Sequence, residues 1–523
     1  NFIGESKLLE KPPRLVRSGL ILFLSRLIST VTGLAFTIMI TRSVPEAEYG
    51  IWANINIDIV TYFTLLSSIL PFWIIRFFAR GYKDSAKTGV FANLLFGIGS
   101  AIIYVIFIPF LLPFLHISPN YLPIYLLASI QILEIYLISA FQPILRTVKI
   151  ETLAYGLLIE EASRVVLGYW LIINARMGLY GAMLTLISAF FVQFLVYFYA
   201  SKKFLHGRIR WSYVKEWMKG SVANLYYIIG QRIAAFSTLL LIIVCGEVVG
   251  LKARAYYGAA FQIASVINYT VFLVFALYPR LLMKQKSEDI SESFKLFFMF
   301  AIPMTIGIIV LADSFLTILG KGKVAGELID YSVATPVLRL LAPSILALSI
   351  SQVFNSIIFS AEKFDLEARI PLKELVHSKI FKIFTLPYIK ALIVLPTLYF
   401  ILAFLGSDAV ASALYLAALS AIAEVFLLII RILLARNTLN FKFPWKSILN
   451  YSFASAIMAG FLLLTEHPTR ISTVLLYTLI AGAIYLAVLL VIDKDSRGLV
   501  KAIIGEIKQI YGFNIGQQSK YVL

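Results

Sequence analysis

An all-α polytopic membrane protein of about fourteen spans is the fold class that three observations predict. Of 523 residues, 60% are hydrophobic and only 14% charged, with a mean hydropathy of +0.88. A soluble chain of this size would carry about a quarter charged residues. Apolar runs of about 20 residues, the length a helix needs to cross ~30 Å of hydrocarbon, recur along the chain. The 46 Lys and Arg residues, source of the +18 formal charge, lie in short segments between those runs. Nucleic-acid binding would need them on one exposed folded face.

The runs fall near 17–41, 51–74, 89–115, 121–143, 152–174, 179–200, 218–245, 255–280, 294–317, 336–360, 384–405, 409–431, 447–465 and 471–492. The first lacks a small-residue cleavage site and reads as a retained helix. Pro387 and Pro396 interrupt the eleventh. Orientation follows from the cations, because positively charged loops stay cytoplasmic. With the N-terminus inside, the outer segments hold Arg42, Arg176, Lys252, Arg254, Lys321, Lys323 and Arg470, and the spans hold Arg26, Arg164, Arg232, Arg339 and Lys390. All other Lys and Arg are inner, so both termini are expected in the cytoplasm of a plasma-membrane protein. The single cysteine, Cys245, excludes an intramolecular disulfide and a thiolate zinc site. The four histidines are scattered, so no metal or cofactor is expected.

Charges inside spans are costly and mark functional or packing sites. Arg339 and Lys390 lie near span ends and are expected to snorkel. Arg26, Arg164 and Arg232 lie deeper. Among acids, Glu134, Glu160, Glu161 and Glu424 sit on the fourth, fifth and twelfth spans, and Asp58 on the outer half of the second. Glu160 and Arg164, at i and i+4, are expected to pair along one helix face. Glu134, Glu161, Glu424 and Asp58 are left as candidate ion-coupling groups or counter-ions.

A weak internal repeat organises the chain. Span one reads SRLISTVTGLAFTIMIT and leads to EYG, with Arg26, Tyr49 and Gly50. Span seven reads QRIAAFSTLLLIIV and leads to AYYG, with Arg232, Tyr257 and Gly258. Such an offset suits two parallel six-helix halves. The expected units are 1–200, a linker at 201–217, 218–434, accessory spans at 435–492 and a tail at 493–523. In equivalent helices, Arg26 and Arg232 would face one another across a central cavity, or else each pairs with an acid to fix packing.

The chain resembles the polysaccharide transporters of the multidrug/oligosaccharidyl-lipid/polysaccharide exporter superfamily. The likeness rests on the span-one Arg with TRSVPEAEYGIW, on LRTVKIE leading into LLIEEASRVVLGYW, and on PMTIGIIVLADSFLTILGKGKVAGELI followed by LRLLAPSILALSISQVFNSIIFSAEK. The resemblance implies the fold shared with MATE transporters: two pseudo-symmetric six-helix bundles, here with two C-terminal helices. It also implies a flippase for lipid-linked oligosaccharides, with Arg26 and Arg232 lining the cavity. On that reading Arg26, Arg232 and Arg164 bind an anionic head group, since guanidinium matches phosphate geometry. Expected partners are the lipid-linked substrate, membrane lipids and glycan polymerases or glycosyltransferases, with the chain itself a monomer and not an enzyme. Two other readings stand: a cation antiporter of the same superfamily, and a membrane-embedded glycosyltransferase or polysaccharide polymerase. The latter would need a paired-acid site and a sizeable outer loop. GKGKVAG at 320–326 looks like a phosphate cradle but follows a membrane helix and reads as a turn. Segments 364–383 and 499–510 read as amphipathic helices on the anionic inner leaflet.

Overall fold

The computed structural model describes residues 29, 31–274, 287–361, 378–436, 443–465 and 467–498. Arg26, residues 364–377 of the first amphipathic segment and the whole of 499–510 lie outside them. The described chain is helical except for one small hairpin. In order, α1 covers Val31–Thr41, and α2 covers Glu46–Phe63 and Leu65–Ala79 across a 65° bend. Next come α3 (Asp84–Phe114), α4 (Leu122–Val148), α5 (Ile150–Gly168), α6 (Gly178–Ser201) and α7 (Trp211–Gly220). They are followed by α8 (Val222–Ala235), α9 (Ser237–Ala264), α10 (Ser287–Val310) and α11 (Ala312–Leu319). The strands β1 (Lys321–Val324) and β2 (Glu327–Asp330) lead to α12 (Thr335–Ala361) and α13 (Lys379–Leu405). Helices α14 (Ala409–Arg436), α15 (Trp445–Leu464) and α16 (Ile471–Ile492) complete the set.

Three departures from the sequence reading have local causes. The second span is not a straight helix: a π segment at Asn54–Ile59 and a 3-10 turn at Leu65–Ser68 surround its bend. The eleventh is continuous despite Pro387 and Pro396, as membrane helices tolerate when neighbours restore the freed backbone groups. The eighth begins just after Gly246 rather than at residue 255. Gly246 has φ +74° and ψ −179°, a region open essentially to glycine alone, and there the chain doubles back. An added Cβ on Gly250 would lie 2.5 Å from the Leu241 carbonyl, whereas nine residues of straight helix would separate them by ~13 Å. Arg254, read as an outer-loop cation, is therefore on a buried helix.

Two sets of helices pack mainly within themselves. Helix α3 lies on α4, α4 on α6 and α5 on α6; in the second set α12 lies on α14, α8 on α13 and α9 on α14. The accessory helix α15 packs on α10 and α16. The sets meet chiefly where α2 crosses α9. The Tyr-Gly dipeptides of the repeat sit at this crossing: a Cβ on Gly50 would lie 2.2 Å from the Leu251 carbonyl, and one on Gly258 3.5 Å from Ala53 Cβ. Small residues let membrane helices approach this closely.

The crossing marks one end of the bundle, here the hairpin end. There Thr41 Oγ1 donates to the Leu319 carbonyl at 2.5 Å and Arg42 Nε to that of Ile318 at 3.0 Å. Glu46 accepts from Tyr256 Oη at 2.6 Å and from the Asp330 amide at 2.9 Å. The apolar core here is continuous across both sets, with Phe36, Ile40 and Tyr49 joining Leu241, Leu316 and Tyr331. At the opposite, basic end, the first set has a core of its own, built on Leu70, Trp73, Phe141, Tyr197 and Trp217. Among the described residues it contains none beyond the linker helix α7. That helix, in the segment read as plain linker, buries Val214 and Trp217. It is tethered by Asp84, which accepts from the Arg208 amide at 3.1 Å and from Arg210 Nε.

The 320–326 turn is the tip of the β1–β2 hairpin. Val324 pairs with Glu327 across a two-residue loop, Ala325 and Gly326, at φ +50° and +88°, the sign pattern of a type I′ turn. Asp330 anchors its base: one carboxylate oxygen accepts from the Ser332 amide at 2.9 Å and the other faces Lys321 Nζ at 3.4 Å. Burial alone would raise this carboxyl, but the Ser332 hydrogen bonds and the Lys321 ammonium together hold it below its usual value. A lowered native pKa means stabilisation present above the unfolded value, near 3.9, and lost on acidification through the native value. The protection of the Ser332 amide against hydrogen exchange, corrected for intrinsic rate, should therefore fall below about pH 4. In Asp330→Asn it should be low at every pH; equal profiles in the two proteins would show that the carboxylate does not hold the turn.

Candidate functional site

Most of the charged side chains at membrane depth are resolved into pairs. Span five pairs as its spacing predicts: Arg164 Nη2 donates to Glu160 Oε1 at i,i+4. Glu161, a candidate ion-coupling group or counter-ion in the sequence, also lies 3.5 Å from Arg164 Nη1. Its two oxygens accept the hydroxyls of Ser29 and of Thr32, the latter at 2.8 Å. The carboxylate next to Glu160 in the sequence is thus also held by the first span, a contact that no local spacing encodes.

At the crossing of α2 and α9 lies the most buried pair. Arg254 Nε reaches Asp58 Oδ2 at 2.6 Å and Nη2 reaches Oδ1 at 3.0 Å, with only 1% and 5% of the two residues exposed. Thr238 Oγ1 donates to Asp58 Oδ1 at 2.9 Å, and Arg254 Nη2 lies 3.4 Å from the Ala53 carbonyl. This bidentate fork ties the two helix sets together, and charge-assisted bonds of this geometry are the strong ones. The π segment of α2 carries Asp58 toward its partner; such bulges recur at functional sites. Hydropathy reading missed Arg254 because a cation near a span end looks like loop. The signal present was its position one turn before Gly258, on the same helix face.

In the second set, Lys390 Nζ donates to Glu424 Oε1 at 2.7 Å. Lys390 does not snorkel free, as expected of it, because a carboxylate on α14 neutralises it inside the bundle. Arg431, counted with the inner segments, is 6% exposed, and its Nε and Nη1 have no hydrogen-bond partner among the described residues. It stands seven residues, two turns, beyond Glu424, whose Oε2 is also unpartnered. Arg339, by contrast, is exposed and donates to the Ile309 carbonyl at 3.2 Å.

Arg232 sits in α8 and is half-buried. Its backbone carbonyl accepts from Tyr62 Oη at 3.0 Å. Its guanidinium has no carboxylate within 4.0 Å among the described residues, and its Nε is buried and unbonded. In the first set the unpaired group is an acid: Glu134 Oε2 is buried with no partner among the described residues. Of the residues singled out from the sequence, Asp58, Arg164, Glu161 and Glu424 are in ion pairs, Arg232 and Glu134 are not, and Arg26 lies outside the described chain. Among the described residues no group of three or more His, Cys, Asp or Glu could hold a metal ion.

Solved structures share this architecture. The lipid II flippase MurJ in an inward closed conformation matches with a TM-score of 0.59 and 16% identity, over 90% of this chain and 98% of that one. An inward-facing multidrug resistance MATE family transporter of the MOP superfamily matches at 0.58 and 15%, over 78% and 96%. A Vibrio cholerae MATE transporter matches at 0.56 and 13%, over 81% and 97%. No family model and no curated protein sequence matches. The chain is an all-α multi-pass membrane protein with the fold of these structures, and its structural neighbours are transporters and flippases.

Proposed function

We propose that a chain with this transporter fold moves a lipid-linked oligosaccharide, joined through phosphate or pyrophosphate to a polyprenyl or dolichyl tail, from the inner to the outer leaflet. Arg232 is the observation that carries the reading. A guanidinium at membrane depth without a carboxylate is stable only beside water or an anion, and phosphate suits its fork of donors. Arg26 and Arg164 are the further proposed head-group contacts. Glu134, Glu161, Glu424 and Asp58 are the proposed coupling or counter-ion groups.

The proposed units are the halves 1–200 and 218–434, joined by 201–217, with accessory spans 435–492 and a tail 493–523. With the basic end facing the cytoplasm of a plasma-membrane protein, the shared core closes the outer end, and the separate cores leave the halves free to part inside. Rocking of the halves then exposes the site to each side in turn, while the tail stays in lipid. The chain is taken as a monomeric transporter rather than an enzyme, handing its product to glycan polymerases or glycosyltransferases.

The test is transport of a fluorescent lipid-linked oligosaccharide in proteoliposomes. Loss of a charged hydrogen bond is worth about 1.5–3 kcal/mol, so Arg232→Gln should slow transport about 10- to 100-fold without lowering the melting temperature. Wild-type rates in the variant would make Arg232 a packing residue. Glu134, an acid at depth without a partner among the described residues, favours the cation antiporter as second reading. Expulsion of an organic cation lost in Glu134→Gln, with no lipid movement by wild type, would establish that reading instead.

A further inference from the structure

The hairpin end carries a feature that the transport reading does not use. Arg42, Thr317, Gly320, Lys321, Lys323 and Thr469 line a cavity of about 540 Å³, within the size range of small-molecule sites. Its lining holds three cations and no acid. The strand period explains part of this: side chains two residues apart share a face, so Lys321 and Lys323 of β1 are on one side of the hairpin. Lys321 is shared with Asp330 at 3.4 Å, while Lys323 is exposed and has no ion pair among the described residues. Among the described residues Arg42 commits only Nε, to the Ile318 carbonyl at 3.0 Å, which leaves its terminal nitrogens for a ligand.

We propose that this cavity binds a phosphate group, held by Arg42 from the first helix set and by Lys321 and Lys323 from the second. Guanidinium and ammonium groups converging on one cavity are the chemistry that recognises phosphate oxygens, and of the three only Lys321 shares its charge with a carboxylate, Asp330 at 3.4 Å, among the described residues. The positive-φ turn at Ala325 and Gly326 gives the hairpin the sharp reversal that keeps both lysines on one short strand. Because its cations come from both sets, a bound phosphate bridges them at their shared end. The site lies apart from Arg232, and its existence does not depend on what is transported.

The phosphate has two sources, the free ion and a lipid head group, which one experiment separates. Full-length protein in detergent is titrated with inorganic phosphate while its melting temperature is followed. In parallel, native mass spectrometry counts phosphatidylglycerol and phosphatidylcholine adducts. The variants are Lys321→Gln/Lys323→Gln and Arg42→Gln, with Arg176→Gln as a control that removes a charge elsewhere. Saturable stabilisation by phosphate, weakened at least tenfold in both cavity variants and unchanged in the control, supports a site for the free ion. No response to phosphate, but phosphatidylglycerol adducts lost only in the cavity variants, supports a lipid head group. If cavity and control variants behave alike in both arms, the proposal is overturned. Wild-type binding in Arg42→Gln alone overturns the bridge between sets. Should the double variant fail to fold, Lys323→Gln, at an exposed residue without an ion pair, carries the same readings.

Discussion

Asp58→Ala should be among the most damaging single substitutions in this protein. It leaves the Arg254 guanidinium, 1% exposed, without its bidentate partner. Removing one member of a buried pair costs about 3–5 kcal/mol, since the remaining charge stays desolvated. A large fall in the melting temperature of the detergent-solubilised protein is the expected result, with loss of transport. The informative comparison is Asp58→Leu/Arg254→Met. Apolar replacement of both partners is often neutral or better for stability, so the double variant should melt near wild type. Its transport should stay at least tenfold low, because an ion pair can be exchanged for water when the hairpin end opens and an apolar contact cannot. A double variant that is both stable and active would show that the pair only packs the helices; an Asp58→Ala protein melting like wild type would show that it does not even do that.

Gly50→Ala is the second large effect, and it acts through the backbone. The new Cβ would stand 2.2 Å from the Leu251 carbonyl oxygen and 2.8 Å from its carbon, so α2 and α9 must move apart. Overpacking of this kind costs about 1–3 kcal/mol, more where nothing can relax. The contact belongs to the closed hairpin end, so the variant should populate that closure less. Crosslinking between Thr41→Cys and Leu319→Cys, in a Cys245→Ser background, reads this directly. Those residues now share a 2.5 Å hydrogen bond, and the yield should drop severalfold. Gly258→Ala provides the contrast: its Cβ would meet the Arg254 guanidinium at 2.8 Å and not a backbone atom of α2, so it should disturb the Asp58 fork while lowering the crosslinking yield less than Gly50→Ala does. Equal crosslinking in Gly50→Ala and wild type would exclude the crossing as the element that sets closure.

How much of the site could be read in advance depended on sequence distance. Glu160 and Arg164 were legible because four residues on a helix is one turn. The same reasoning misled for Lys390, whose partner Glu424 is 34 positions away, and for Arg254, whose partner is 196 away. Arg431 was lost among inner-segment cations, although its two-turn spacing from Glu424 marks a shared face. The Gly246 reversal was invisible to hydropathy, because the residues on both sides are apolar enough to continue a helix. The amphipathic α7 was passed over as linker because it is only ten residues long and carries Lys215, Glu216 and Lys219; what buries Trp217 is the aromatic cluster of Phe77 and Tyr213 around it.

The sequence by itself determined that this chain is an all-α multi-pass bundle; among the described residues ten helices are long and apolar enough to cross a membrane, or eleven counting the bent α2. Crossing hydrocarbon is a requirement on the length and polarity of each segment separately, and local composition records it. Which charges neutralise one another, and where the two helix sets close, only the tertiary structure decided. Those outcomes depend on helices brought together from opposite ends of the chain, and on glycines whose role is set by a backbone that lies hundreds of residues away.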